Sequence, residues 1–276
     1  MHIIDYYDNI NTMDRNKIGL ALSSGSARGL AHIGVIKTLI KNNISIDYIA
    51  GSSAGAIVGA YFALYGEIDS LEKLLLENSK EFMPIFLDLG ISEGFVNGEK
   101  LTTFLKKVFK NKEFKDTKIP LYIISTDLMN CKSIIFSSGK LAHAIRGSIS
   151  VPIVFKPYKD QDELLVDGGL SNPVPANILK DKGADKIISV NLYPKNKFDK
   201  KIKISNIALR TFYVGLHFLS KMAIPYSNIW LEPKAALNIN NIKLSNSLKP
   251  ENIKKLIATG EKEALDHLDE IKKLVK

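Results

Sequence analysis

The sequence predicts an α/β fold built on a mostly parallel central sheet, and three observations carry that expectation. Short apolar runs bounded by small residues alternate with stretches of helical periodicity, the pattern of parallel strands buried on both faces and joined by crossover helices. Two of those runs end in small-residue loops, at 23–29 and 51–55, that open directly into helices. The length, 276 residues with 45% apolar and 24% charged side chains, suffices for one large domain with a substantial core and forces no second one.

Residues 1–16 show no sustained periodicity and read as an N-terminal arm; residues 17–276 read as one domain. Lys17-Ile18-Gly19-Leu20-Ala21-Leu22 is the first buried strand. Residues 23–29 are a loop of small residues, and 30–40 a helix with apolar residues at helical spacing. The next strand covers 46–50 and is followed by Gly51-Ser52-Ser53-Ala54-Gly55, then a helix over 54–65 that is small at its start and packs close to the sheet. Residues 69–78 form another helix. The apolar stretch 81–94 around Pro84 is either a wall on the core or a lip that receives an acyl chain, and Asn97 caps a helix running to Lys110.

A strand over 120–127 is partnered by 133–136, which is followed by a turn at 137–139, and 141–147 is a short helix. Residues 163–167 form a strand that ends in Asp167 and is followed by Gly168 and Gly169. A helix starts after Pro175 and a strand covers 186–192. Residues 194–204 are a lysine-rich connector. The helix over 207–222 is apolar around most of its circumference and is expected to be buried. A strand at 228–233 and an amphipathic helix over 250–275 close the chain.

Several function classes are disfavoured by composition. No run of roughly 18 uncharged apolar residues exists to form a membrane-spanning helix, and the acidic, aromatic start is unlike a secretory signal. The single cysteine, Cys131, agrees with a reducing compartment and offers no metal cluster. The expected location is therefore cytoplasmic, with no metal and no cofactor. The formal charge of +9 concentrates in lysines around 106–118 and 195–203. These are a solvated surface or a contact for anionic headgroups at the inner membrane surface. Nucleic acid is the weaker partner, because neither cluster interleaves aromatic residues for base stacking.

The chemistry centres on Ser53. A G-x-S-x-G run that closes a strand and opens a helix lifts the serine hydroxyl out of the sheet on a sharp turn. The loop at 23–29, one strand earlier, ends on the same sheet edge and aims backbone N–H groups at the same space. It lacks the G-x-x-x-x-G-K-[ST] spacing of a phosphate cradle, and it suits an oxyanion hole. The partner base is not obvious among His2, His32, His143, His217 and His267, none of which is flanked by glycine or placed at a strand end. His217 is the best of them. Asp167 is better placed, since the glycines after it permit close approach of a substrate or another backbone.

Together these stretches resemble the patatin-like phospholipase family, and among its members the small bacterial ones related to the catalytic domain of neuropathy target esterase. The matching segments are the loop and helix start Ser24-Gly25-Ser26-Ala27-Arg28-Gly29-Leu30-Ala31-His32-Ile33-Gly34, the elbow 51–55, the segment 148–157 and Asp167-Gly168-Gly169, with similarity extending over roughly 17–275. The resemblance implies a three-layer α/β/α sandwich and a Ser-Asp dyad, with Ser53 as nucleophile and Asp167 as base. Amides of Gly25, Ser26 and Ala27 would form the oxyanion hole, and Arg28 would orient the loop. It implies hydrolysis of lipid acyl esters, of phospholipase A or lysophospholipase type. A thioesterase or neutral-lipid esterase, and a weakly active or inactive scaffold on the same fold, remain as alternatives. The family's loop is usually richer in glycine than this one; if Ser26 adopts φ > 0, the loop carries strain of about 1 kcal/mol or more.

Overall fold

The computed structural model describes residues 15–79, 98–152, 154–195, 204–234 and 249–275. The apolar stretch 81–94, Asn97 and His2 lie outside them. The described strands are β1 (Ile18–Leu22), β2 (Tyr48–Ser52), β3 (Leu121–Asp127), β4 (Lys132–Phe136), β5 (Tyr158–Asp160), β6 (Glu163–Asp167), β7 (Lys186–Val190) and β8 (Ile229–Leu231). The helices among them are α1 (Leu30–Lys41), α2 (Ala54–Tyr65), α3 (Asp69–Glu77), α4 (Glu99–Phe109), α5 (Leu141–Ser148), α6 (Ala176–Asp181), α7 (Ile204–Ser220), α8 (Pro250–Asp266) and α9 (Leu268–Leu274). The strands form one sheet ordered β5-β6-β3-β2-β1-β7-β8, with β4 also paired to β3.

The half of the sheet from β3 to β8 is parallel, as expected from the strand–helix alternation. β4, β5 and β6 add antiparallel pairings. The central strand β1 is buried along its whole length, and its period of two divides the core. Ile18, Leu20 and Leu22 join the large cluster with α1, α2, α4, α5 and α8. Ala21 joins the smaller one with Ala176, Leu179 and Ala184 around α6. Small residues on that second face let α6 approach closely: a Cβ on Gly19 would lie 3.0 Å from that of Ala184. The result is helix layers on both faces of a central sheet.

Two helices differ from expectation. The apolar helix α7 is not buried all round; Ile207, Val214 and Phe218 are exposed. Periodicity registers an apolar face without registering what covers it. The closing helix is broken at His267, whose Nδ1 bonds the Glu263 carbonyl at 2.9 Å. Among the described residues, no helix is long and apolar enough to cross a membrane.

Candidate active site

The pairing registers bring together residues far apart in the chain. β2 pairs with residues 121–124 of β3, ending at Ser52 opposite Ile124. β6 runs the other way and pairs with 125–127, ending at Asp167 opposite Ser125. β4 pairs with 123–127 and so overlaps both. A strand has two edges, so β4 takes one, and β2 and β6 share the other, meeting head to head at their C-terminal ends. Ser53 and Asp167 thus face each other at that junction, and Ser53 Oγ donates to Asp167 Oδ2 at 2.6 Å.

Ser53 takes φ 52° and ψ −116°, a left-handed conformation that costs a non-glycine residue about 1–3 kcal/mol. The surroundings hold it there. A Cβ on Gly51 would lie 2.5 Å from the Gly55 carbonyl oxygen, and one on Gly55 would lie 2.2 Å from that of Leu22. Only glycine lets the chain turn this tightly from β2 into α2. The Ser53 amide donates to Ser148 Oγ at 2.8 Å, and Ser148 Oγ in turn donates to the Ile124 carbonyl. Ser148, at the end of α5, therefore ties the elbow to β3. Ser53 itself is 5% exposed.

Asp167 is buried, with both carboxyl oxygens engaged. Oδ2 accepts from Ser53, and Oδ1 accepts from the Gly169 amide at 2.8 Å. Burial pushes its pKa from the ordinary 3.8 up to about 6, against the hydrogen bonds from Ser53 and Gly169, which favour the ionised form. Its backbone is held by Thr126 Oγ1 on its carbonyl and by the Ser150 carbonyl on its amide, both at 2.9 Å. A carboxylate that is mostly ionised at neutral pH yet near its own pKa suits proton exchange with a hydroxyl.

The loop after β1 lies against this pair. A Cβ on Gly169 would come within 2.5 Å of Ser24 Oγ and 2.9 Å of Asp167 Oδ1, so the absent side chain is what lets loop and carboxylate meet. Ser24 Oγ also contacts the Tyr193 hydroxyl at 2.8 Å. Residues Ser26–Gly29 form a 3-10 turn. Gly25 has φ 171°, which is extended backbone, and glycine is needed there for space: a Cβ would lie 2.7 Å from the Leu192 side chain. Ser26 takes φ 52°, so the strain foreseen for a non-glycine residue is present. The Ser24 amide is used by the Pro173 carbonyl and the Arg28 amide by that of Gly25, leaving the amides of Gly25, Ser26 and Ala27 between them. Arg28 Nε donates to the Gly25 carbonyl at 3.2 Å, and its guanidinium carbon lies 5.0 Å from the ring centroids of both Tyr193 and Tyr213. This side chain braces the turn through aromatic faces.

None of the described histidines bonds the serine. His32 is fully buried on the Ser23 carbonyl at 2.8 Å, and burial pushes its pKa down to about 4. His143 pairs with Asp160 at 2.8 Å. His217 Nδ1 donates to the Tyr193 carbonyl at 2.6 Å. Among the described residues no group of His, Cys, Asp and Glu could hold a metal ion. Sequence reasoning missed Ser148 as the elbow tie, and the Tyr193 and Tyr213 rings around Arg28. Ser148 lay in a stretch singled out for resemblance, without a role; nothing in the sequence pointed to the tyrosines.

Comparison with known proteins gives a consistent picture. A family model described as patatin-like phospholipase matches residues 20–180. The chain is 37% identical over 177 residues to an uncharacterized NTE family protein of Mycobacterium tuberculosis, covering 64% of this chain and 49% of that protein. It is 31% identical over 191 residues to the neuropathy target esterase of Drosophila melanogaster, covering 67% of this chain and 13% of that one. The rat patatin-like phospholipase domain-containing protein 7 is 30% identical over 190 residues, 67% of this chain and 14% of that one. The chain thus spans about half the length of the mycobacterial relative and a small part of the animal ones. In fold it is similar to the crystal structure of VipD from Legionella pneumophila, with a TM-score of 0.51 at 13% identity over 93% of this chain and 67% of that one.

Proposed function

We propose, from the premise that this chain belongs to the patatin-like phospholipase family, that it is a serine acyl hydrolase acting on lipid esters, of phospholipase A or lysophospholipase type. The observation that carries this reading is the 2.6 Å hydrogen bond from Ser53 Oγ, on its glycine-flanked elbow, to the buried Asp167 at the end of β6. Asp167 Oδ2 takes the Ser53 proton as Oγ attacks the ester carbonyl carbon. The amides of Gly25, Ser26 and Ala27 receive the tetrahedral oxyanion, with Arg28 holding their turn in place. Collapse breaks the bond to the alcohol, which leaves with the proton from Asp167. Water then attacks the acyl-serine, giving its proton to Asp167, and the fatty acid departs as Ser53 regains its hydrogen. The chemistry calls on no cofactor.

The test is a panel of phosphatidylcholine, lysophosphatidylcholine, triacylglycerol and acyl-coenzyme A, assayed before and after treatment with a fluorophosphonate. Fatty-acid release from the phospholipid esters, lost in step with a single adduct on the peptide containing Ser53, is the expected result. Release that continues with Ser53 fully modified contradicts the reading, and hydrolysis of the thioester alone replaces the substrate class.

A further inference from the structure

A surface helix of a globular protein turns its polar face outward, and α7 does the reverse. Ile207, Val214 and Phe218 lie on one stripe, at spacings of seven and four residues, and Met222 extends it into the following turn. All four are exposed, Phe218 by 65% and Met222 by 68%. On the opposite side of the helix Leu216 and Ser220 are buried, Tyr213 faces Arg28, and His217 bonds the Tyr193 carbonyl. One face of α7 therefore rests on the braced turn of the oxyanion loop while the other shows apolar side chains to the outside. From Ile204 to Tyr226 the sequence contains no Asp or Glu. Lys221, exposed beside Met222, ends the stripe in a cation, while Arg210 is half-buried with its guanidinium carbon 5.0 Å from the Tyr213 ring centroid.

We propose that this face of α7 is the surface by which the protein docks on an anionic lipid bilayer, a proposal that rests on the lipid-hydrolase reading of the site. The charge pattern selects this occupant. An apolar stripe on a helix without acidic residues, ending in a lysine, matches the boundary between acyl chains and anionic headgroups. A second copy of the chain paired through the same stripe about a two-fold axis would offer no acidic residue on the facing helix to meet Lys221. A bilayer on this face sits about 10 Å, one helix diameter, from the oxyanion loop.

The test is co-sedimentation with vesicles of phosphatidylcholine alone and of phosphatidylcholine with phosphatidylglycerol, for the wild type, the double variant Phe218→Ser/Met222→Ser and Lys221→Glu. Thermal melting and hydrolysis of a short, water-soluble ester are measured alongside. The wild type is expected to bind the anionic vesicles with an affinity that falls as salt rises. Both variants lose at least about tenfold of it, with unchanged melting and unchanged hydrolysis of the soluble ester. Binding by the double variant equal to that of the wild type overturns the proposal, as does a wild type that ignores phosphatidylglycerol. A wild-type dimer that the double variant dissociates assigns the face to a second copy and overturns it too. Failure of ester hydrolysis with intact vesicle binding counts against the catalytic reading and leaves the docking surface standing.

Discussion

Asp167→Asn is expected to lower kcat on an acyl ester by about a thousandfold or more while making the folded protein more stable. The first effect follows from its place on the Ser53 hydroxyl at 2.6 Å, since an amide cannot take that proton. The second follows from burial. A carboxyl whose pKa is raised from 3.8 to about 6 is folded more favourably when protonated. The cost of ionising it is absent below pH 3.8, grows as the pH rises toward 6 and is constant above. At about 1.4 kcal/mol per pH unit it reaches roughly 3 kcal/mol at neutral pH, and the neutral isostere avoids it. The wild-type pH profile carries the same signature: kcat/KM is level above pH 6 and falls about tenfold per pH unit below it.

His32 makes the stability measurement sharper. Its pKa is depressed to about 4 by complete burial, so on acidification the unfolded chain takes a proton that the folded one refuses. Stability from this group is present above about pH 6.5 and is lost as the pH falls toward 4. Between about pH 4 and 6 the folded wild type holds a proton on Asp167 and the unfolded chain holds one on His32, so the two contributions to the slope cancel. In Asp167→Asn only the His32 contribution remains, and stability should rise by about 1.4 kcal/mol per pH unit across that window. Urea unfolding of both proteins over that range checks it; equal slopes would contradict the raised pKa of the buried Asp167.

Gly260→Ala is expected to destabilise the fold by about 3 kcal/mol or more. The helices α1 and α8 cross at two glycines. A Cβ on Gly260 would lie 1.8 Å from the Ala31 carbonyl oxygen, and one on Gly34 would lie 2.0 Å from that of Ile257. Both obstacles are backbone, so no rotamer change relieves them and the helices must separate. Separation opens a buried seam that includes Ile33, Ile36, Ile253 and Ile257. It also displaces α1, which begins directly after the loop that lies against Ser53 and Asp167. Gly215→Ala is the control: it lies within α7 with nothing within 4 Å, and alanine should be neutral there or stabilise by up to about 1 kcal/mol. Equal melting temperatures for wild type and Gly260→Ala would show that the crossing is looser than its geometry.

Much of the site was legible because steric demands write themselves into short spans. The tight turn at Ser53 requires Gly51 and Gly55, and the contact between the loop and the carboxylate requires Gly169; small residues at such places are visible in one dimension. What was not legible is pairing. That β2 and β6 share one edge of β3, end to end, depends on registers fixed by the whole sheet, and no local pattern encodes them. The strands β4 and β6 were legible as runs, 133–136 beside 120–127 and 163–167 ending in Asp167; the antiparallel pairing of β6 with β3 was not, and neither was β5, three residues of mixed polarity. Ser148 and the rings around Arg28 act through contacts across sequence gaps of 95 residues and more. The exposed face of α7 was not legible either, because an apolar stripe reads alike whatever covers it.

The most direct measurement is the steady-state hydrolysis of one acyl ester by the wild type and by Ser53→Ala, prepared alike and matched by thermal melting. The Oγ of Ser53 touches Asp167 and its backbone is held by Ser148 and the Ile124 strand, so the variant should fold as the wild type does. The account predicts a loss of at least about a thousandfold in kcat/KM with an unchanged melting temperature. Hydrolysis within a few fold of wild type would contradict it and remove Ser53 from the chemistry.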